Sequence, residues 1–281
     1  MSAPNSTSVA EFLAHLPTAT IDDDAALARA IVEHAGALAG RMRQAGVTTE
    51  FKTSVSDVVT AADRAAEAFV VAALAQLRPA DGILGEEGSA KESDSGRTWV
   101  IDPVDGTYNF TTGSDYWCSA LALVRGSAEN PEGLIVSAVH RPATGHTWVG
   151  GPHVPTTRFH PQEQPRLLSI KDRELSQVSA GTYLHSTVVG AADEQERAST
   201  AAWLATVSRC ATWRMLGSAS LDLAGVAEGR LGVWFQRDVA AWDWLPGLGL
   251  IVGAGGTGAS VGRWQVAGSA NQVRDLSQTL H

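Results

Sequence analysis

The sequence is poor in the features that mark secreted and membrane-spanning proteins. It has two cysteines in 281 residues, Cys118 and Cys210, too few for a disulfide framework, and neither has a Cys or His nearby at zinc-ligand spacing. No apolar run reaches the roughly 18 residues that span a bilayer, and the N-terminus lacks the basic and apolar regions of a secretory signal. These absences predict a cytoplasmic protein.

Positive charge is also scarce. Lys and Arg number 21 against 30 Asp and Glu, a formal net charge of -9, and no basic block occurs. This argues against nucleic acid or an anionic membrane as a partner, because both need clustered Lys and Arg. The eight histidines are scattered outside the acidic motifs, so no catalytic histidine is expected. Hydrophobic residues make up 44% of the chain, which is enough to bury a core.

Apolar residues recur at helical or strand-like spacing along most of the chain. A helical pattern opens at Asp22 and is closed by Gly46, and a second runs from about Ala61 to Leu77. Further helices are predicted at 193–207, 218–227 and 243–253, and strands at 83–84, 99–101, 116–124, 134–140, 147–150, 182–189 and 231–236. Because these elements mix without a strict βαβ rhythm, they predict a layered α and β sandwich.

The same pattern predicts a flexible N-terminus followed by two halves. Residues 1–20 are rich in Ser, Pro, Thr and Ala and are expected to be loosely held. Residues 21–150 form the N-terminal half and residues 166–281 the C-terminal half, with the proline-rich, polar stretch 151–165 as the boundary. The halves are expected to make one compact unit.

Acidic residues gather where two short apolar strands end. Glu86 and Glu87 follow one strand, and Asp102 and Asp105 follow the next. Side chains at strand ends lie at the edge of a sheet, where ligands bind. Several carboxylates at one point need a cation among them, and Mg²⁺ prefers such oxygen ligands.

The residues after Asp105 add the means to bind an anion. Gly106 and Thr107 are placed to begin a helix, whose free N–H groups favour negative charge. Acids for a metal beside amides for an anion are what a phosphate ester hydrolase needs. Each piece also has an ordinary explanation: Glu87 as a solvated turn residue, and Asp57, Asp63 or Asp243 as a helix cap.

The acidic motifs resemble those of a known family. They read GEE at 85–87, WVIDPVDGTYNF at 99–110, LGSA at 216–219 and WDWLPG at 242–247, followed by Gly255-Gly256. Over roughly residues 57–256 the chain resembles the inositol monophosphatase-like, metal-dependent, lithium-sensitive phosphatases. The resemblance implies a layered α-β-α-β-α sandwich, a phosphoric monoester hydrolase activity and a homodimer.

The resemblance also implies a set of residues that would bind two or three Mg²⁺ ions. Glu86, Asp102 and the carbonyl of Val104 would hold the first ion. Asp102 would bridge to a second, held also by Asp105 and Asp243. A third, weaker ion would use Glu86 and waters. Most of these ligands lie in the N-terminal half, and Asp243 lies in the C-terminal half with the substrate pocket.

Other residues take catalytic and substrate-binding roles by the same resemblance. Asp57 and Thr107 would orient and deprotonate the attacking water, and Glu87 would hold a water on the metal. The N–H groups of Gly106 and Thr107 would bind the phosphate. Ser218 and Ala219 would line the alcohol side of the pocket.

The sequence departs from the inositol-specific pattern at Gln236. The family's inositol enzymes carry a Glu seven residues before the last metal Asp, where it binds sugar-alcohol hydroxyls. Gln can donate and accept hydrogen bonds but has no charge. The first candidate substrate is inositol 1-phosphate, and the alternatives are histidinol phosphate and a sugar bisphosphate. A non-catalytic metal- or phosphate-binding dimer is the alternative outside the enzymes, and the retained carboxylates argue against it.

Overall fold

The computed structural model describes residues 5–46, 49–51, 58–128, 131–190 and 193–280. The helices in these ranges are α1 (Asn5–Ala14), α2 (Thr18–Asp22), α3 (Asp24–Ala45), α4 (Ala61–Leu77), α5 (Thr107–Thr111), α6 (Ser186–Val189), α7 (Glu194–Val207), α8 (Ala219–Ala227), α9 (Ala241–Gly253) and α10 (Ala270–Ser277). Capping residues explain several of the helix starts: Asp23 caps α3, Thr60 and Asp63 form a capping box on α4, and Ser218 caps α8.

Fifteen strands lie in the described ranges, most of them in two sheets. They are β1 (Thr49–Phe51), β2 (Val58–Thr60), β3 (Gly82–Gly85), β4 (Ala90–Lys91), β5 (Arg97–Asp105), β6 (Cys118–Gly126), β7 (Pro131–Arg141), β8 (His146–Gly151), β9 (Val154–His160), β10 (Glu163–Leu167), β11 (Ser179–Tyr183), β12 (Thr212–Arg214), β13 (Val233–Arg237), β14 (Thr257–Val261) and β15 (Trp264–Gly268).

The first sheet has eight strands and the second has five. The order in the first is β10-β9-β8-β7-β6-β5-β3-β4, with antiparallel pairing except between β3 and β5. The order in the second is β12-β11-β13-β15-β14, where β11 runs parallel to both β12 and β13. The strands β1 and β2 form a separate antiparallel pair.

The helices separate into three layers around these sheets. Helices α3 and α4 pack on one face of the first sheet, and α9 packs on its other face. Helices α8 and α9 also contact the second sheet, whose far side is covered by α7 and α10. The arrangement is the α-β-α-β-α sandwich that the family resemblance implies.

The N-terminal residues differ from the prediction. From Asn5 onward they form α1 and α2, and the side chains of Val9 and Phe12 are buried. The Phe12 ring meets Phe69 of α4 edge-to-face, with centroids 5.2 Å apart. Two apolar residues three positions apart share a helix face, and packing on α4 holds this segment despite its Ser- and Thr-rich composition. The described part of residues 1–20 is therefore largely helical and contributes two side chains to the core.

The boundary between the halves also differs from the prediction. The stretch 151–165 forms β9 and most of β10, which extend the first sheet. Its prolines suggested a linker, but β10 is an edge strand, where a proline such as Pro165 is tolerated. The chain leaves the first sheet only after Leu167. No helix in the described ranges is long and apolar enough to cross a membrane.

Candidate active site

Three carboxylates from both halves of the chain meet at one end of the first sheet. Asp102 and Asp105 lie at the end of β5, where the pairing with β6 shifts register between them. Asp243 lies in the first turn of α9. One oxygen from each of the three carboxylates lies within 4.8 Å of the others. The register shift lets two acids three residues apart face the same point.

The environment of these acids opposes their ionisation. Burial raises the pKa of Asp102 well above its usual range, and the charges of Glu86, Asp105 and Asp243 add to the effect. Burial and the charges of Asp105 and Glu86 raise the pKa of Asp243 in the same way. Burial raises the pKa of Asp105, although hydrogen bonds from Ser220 oppose the shift. Such a cluster is stable as carboxylates only when positive charge neutralises it.

The hydrogen bonds of the acids leave room for a cation. Asp102 Oδ1 accepts from the Val104 N–H at 3.1 Å, whereas its buried Oδ2 has no hydrogen-bond partner among the described residues. Asp105 Oδ2 accepts from the Ser220 N–H at 2.6 Å. A backbone N–H group therefore orients one oxygen of Asp102 and one oxygen of Asp105. A buried carboxylate oxygen without a hydrogen-bond donor can coordinate a hard cation. The donor set therefore fits Mg²⁺.

The turn after Asp105 is shaped by Gly106, which has a left-handed φ of 97°. A Cβ there would lie 3.0 Å from the Gly217 carbonyl and 3.1 Å from the Tyr116 carbonyl, so glycine is required on both counts. Helix α5 follows at once, as predicted. Asn109 then ties this helix to the loop before α8 by donating to the carbonyls of Tyr116 and Leu216 at 2.9 and 2.7 Å.

The hydroxyl of Thr107 has a carboxylate partner in α4. Thr107 Oγ1 lies 3.1 Å from Asp63 Oδ1 and 3.0 Å from the Val104 carbonyl, and it can donate to either. The other oxygen of Asp63 accepts from the Thr60 N–H at 3.0 Å within the capping box. Burial raises the pKa of Asp63 despite hydrogen bonds from Thr60 and Thr107. The sequence pattern predicts Asp63 only as a helix cap.

The family resemblance pairs Thr107 with Asp57, which lies outside the described residues. Among the residues that the structure describes, Asp63, six positions later, contacts Thr107. The sequence does contain a signal for Asp63. It lies at the third position of α4, where the capping box with Thr60 fixes the orientation of its carboxylate. The sequence alone, however, gave no reason to direct the second oxygen of Asp63 toward Thr107.

The second sheet and α8 supply the other wall of the cleft. Ser218 caps α8 by accepting from the Leu221 N–H, and Ala219 begins the helix beside it. Gln236 lies on β13 in register with Tyr183 of the parallel strand β11, and both side chains are half-buried. Below them, Asp222 accepts from the Tyr116 hydroxyl at 2.7 Å, and burial raises the pKa of Asp222 to about 8.

One cleft of about 800 Å³ joins these walls. Its lining includes ten of the twelve predicted site residues: Glu86, Asp102, Val104, Asp105, Gly106, Thr107, Ser218, Ala219, Gln236 and Asp243. Glu87 does not line the described cleft, and its N–H donates to Glu67 of α4 at 2.9 Å. Tyr183, His185 and Met215 line the cleft but carried no motif that sequence reasoning could use.

The fold and the site together define a class of protein: a layered α and β sandwich with three carboxylates that could hold a metal ion, beside a hydroxyl–carboxylate pair. The sequence model of the inositol monophosphatase family matches residues 21–268, and the chain belongs to this family of phosphatases, which hydrolyse phosphate monoesters.

Similar proteins agree with this assignment. An inositol-1-monophosphatase of Rhizobium meliloti is 36% identical over 208 residues, covering 72% of this chain and 71% of the relative. A histidinol-phosphatase of Mycobacterium tuberculosis is 30% identical and covers 82% of this chain and 84% of the relative. The solved structure of Mycobacterium tuberculosis SuhB superposes with a TM-score of 0.73 at 27% identity, covering 91% of this chain and 94% of that one.

Proposed function

We propose that this phosphatase is Mg²⁺-dependent and hydrolyses a small polyol phosphate, with inositol 1-phosphate as the first candidate. The observation that carries the proposal is the convergence of Asp102, Asp105 and Asp243 beside Thr107 in one cleft. The names of the Rhizobium relative and of others like it support the choice of substrate.

Five residues would hold the ions. Glu86, Asp102 and the Val104 carbonyl would form one site, Asp102, Asp105 and Asp243 a second, and Glu86 with waters a weaker third. Divalent cations in such sites polarise the phosphoryl oxygens, activate water and stabilise the leaving oxygen. The unpartnered Oδ2 of Asp102 supports its assignment as a metal ligand.

The proton of the attacking water would pass through Thr107. The Thr107 oxygen can accept a hydrogen bond from the water while its own proton points to Asp63 Oδ1 at 3.1 Å. The raised pKa of Asp63 makes this carboxylate a better proton acceptor than an ordinary aspartate. We propose that Asp63 accepts this proton from Thr107; Asp57, for which the family resemblance implies the same role, lies outside the described residues. Glu87 would assist by holding a water.

The phosphate and the alcohol would lie on opposite sides of the reacting bond. The N–H groups of Gly106 and Thr107, at the start of α5, would donate to the phosphate oxygens. Ser218 and Ala219 would line the alcohol side, and Gln236 would bind its hydroxyls with the phenol of Tyr183 alongside. Two neutral groups bind a polyol less strongly than a carboxylate does, so tolerance of other polyol phosphates is expected.

The second candidate is histidinol phosphate. The uncharged Gln236 weakens the case for a strict inositol enzyme, and a relative of similar coverage is named a histidinol-phosphatase. A sugar bisphosphate is the third candidate. The finer family traits, sensitivity to lithium, assembly as a homodimer, a cytoplasmic location and the absence of nucleic-acid and membrane partners, stay predictions.

Phosphate release from a panel of esters, with Mg²⁺ and with EDTA, tests the proposal. Mg²⁺-dependent hydrolysis of inositol 1-phosphate at the highest kcat/KM would support it. Equal or better turnover of histidinol phosphate would move the assignment to the second candidate. Release that persists in EDTA, or no release from any ester, would overturn the metal mechanism.

A further inference from the structure

We propose that Glu67 of α4 is a positioning residue that holds the turn 85–89 and thereby aims Glu86 at the metal centre. The proposal rests on the proposed function in one respect, the assignment of Glu86 as a metal ligand. Glu67 is only 2% exposed, does not line the cleft and takes no part in the proposed reaction.

The carboxylate of Glu67 binds both sides of the turn. Its Oε2 accepts from the Glu87 N–H at 2.9 Å, and its Oε1 accepts from the Ser89 N–H at 3.0 Å. The turn is closed by the Gly85 N–H, which donates to the Ser89 carbonyl at 2.7 Å. The Glu86 N–H donates to the Ile101 carbonyl of β5 at 3.1 Å. Glu86 therefore sits between two anchors, the β5 backbone and the Glu67 carboxylate.

Gly85 shows that the turn is built around this carboxylate. A Cβ at Gly85 would lie 2.5 Å from Cδ of Glu67, a distance that real Cβ atoms do not tolerate. The strand β3 thus runs directly over the carboxylate group, and only a glycine leaves room for it. A larger residue at Gly85 would therefore displace the Glu67 carboxylate, and Gly85 directly precedes Glu86.

A purely structural role for Glu67 would be to satisfy two buried N–H groups. That role costs a buried charge, which is expensive to keep inside a protein, whereas a serine or asparagine could serve a turn more simply. The position of the contact argues for more, because both N–H groups lie within three residues after Glu86, whose side chain lines the same cleft as Asp102. Residues that orient metal ligands in this way typically change metal affinity by about 10–100-fold when mutated.

The same helix face also serves the second catalytic segment. Asp63 lies four residues before Glu67, one helical turn away, and contacts Thr107. Helix α4 therefore carries two carboxylates with different tasks: Asp63 acts on the residue that handles the proton, and Glu67 acts on the turn that presents a ligand. The two tasks predict different kinetic signatures for the two substitutions.

The test is the variant Glu67→Gln. The amide keeps the volume but turns an NH₂ group toward one of the two N–H donors, so one hydrogen bond is lost and replaced by a repulsive contact. We expect the Mg²⁺ concentration for half-maximal activity to rise by about 10–100-fold, with most of the kcat recovered at saturating Mg²⁺. Asp63→Asn should do the reverse and lower kcat at every Mg²⁺ concentration.

Two readouts do not depend on turnover. Calorimetric titration with Mg²⁺ should show weaker binding to Glu67→Gln, and hydrogen exchange of the Glu87 and Ser89 amides should be faster than in the wild type. Gly85→Ala approaches the same contact from the other side and should give the same Mg²⁺ phenotype. Unchanged Mg²⁺ affinity in a folded Glu67→Gln protein would overturn the proposal.

Asp81→Asn is the matched control. Asp81 is also buried and also hydrogen-bonded, to the Trp99 indole and Arg97, but it precedes β3 at the end opposite Glu86. Its loss should lower the melting temperature and leave Mg²⁺ affinity unchanged. If both variants lose stability and neither loses Mg²⁺ affinity, the role of Glu67 is only structural. A wild type that binds Mg²⁺ but releases no phosphate would sink the proposed function and leave the test of Glu67 intact.

Discussion

The two sheets contribute different kinds of residue to the cleft. The first sheet supplies Asp102 and Asp105, which are at most 4% exposed and are oriented by backbone N–H groups. The second sheet supplies Gln236 and Tyr183, which are half-buried side chains at the ends of parallel strands. The side of the cleft proposed to bind metal is therefore held rigidly by its surroundings, whereas the side proposed to bind the alcohol is a wall that substitutions can alter.

The difference teaches how one scaffold can accept several esters. Any substitution among the clustered carboxylates changes the negative charge that a bound cation would have to neutralise. A change at the alcohol side alters one or two hydrogen bonds to the leaving group. Mutations on the first side should thus affect every substrate alike, and mutations on the second should discriminate among substrates.

The largest effect is expected for Asp102→Asn on the metal side. A neutral amide cannot neutralise two cations, so turnover should be lost by more than about 10³-fold, equivalent to several kcal/mol of transition-state stabilisation. Mg²⁺ binding measured by calorimetry should fall, while circular dichroism shows an intact fold. Near-normal activity in this variant would rule out a bridging role for Asp102.

The next largest effect is expected for Thr107→Ala. Removing the hydroxyl takes away the group between the water and Asp63, so kcat should fall by ~10²–10⁴-fold. Mg²⁺ affinity should change much less, because the Thr107 side chain is not a metal ligand. A decrease of only a few-fold in kcat would mean that Thr107 merely begins α5.

Inhibition by lithium is expected to be an effect smaller than that of Thr107→Ala and larger than that of the substitution at Gln236. The third ion would have Glu86 as its main protein ligand, and sparse ligation makes such a site exchangeable. Inhibition should be uncompetitive with substrate, as expected when Li⁺ enters after hydrolysis and traps phosphate. Initial rates at several substrate concentrations distinguish this pattern. Insensitivity to tens of millimolar Li⁺, roughly the range where a weak ion site fills, would show a differently built third site.

The smallest effect, and the most selective one, is expected for Gln236→Glu on the alcohol side. A charge-assisted hydrogen bond exceeds a neutral one by roughly 1 kcal/mol, so KM for inositol 1-phosphate should fall about fivefold. Turnover of a small generic ester should be nearly unchanged, which serves as the internal control. An equal loss of rate on all substrates would assign Gln236 to the metal side or to the fold.

Local sequence signals were sufficient for much of the fold and for the acidic residues that gather in the cleft. The predicted helix from Ala61 to Leu77 has those bounds in the structure, and the helix closed by Gly46 ends there. These elements have strong apolar periodicity and clear caps. The strand ending at Gly85 and the one carrying Asp102 also lie side by side as expected. Both could be recognised locally, because each is a short apolar run followed by acids.

Predictions failed where packing between distant segments outweighed composition. Val9 and Phe12 sit in a polar sequence, and only the surface of α4 makes their burial favourable. Pro165 is compatible with a strand because β10 lies at a sheet edge. No local rule contains either fact, since each depends on which element happens to lie alongside.

The sequence by itself determined the type of chemistry, because the acids and the Gly106-Thr107 turn are encoded within short motifs. Only the tertiary structure decided which partners those motifs meet. It brought Asp63 to Thr107 and Glu67 to the turn that carries Glu86, contacts that span 44 and about 20 residues along the chain. It also set Tyr183 beside Gln236, 53 residues apart, through the parallel pairing of β11 and β13. Residue type and spacing specify what a side chain can do, whereas the packing of helices and sheets specifies the group it acts on.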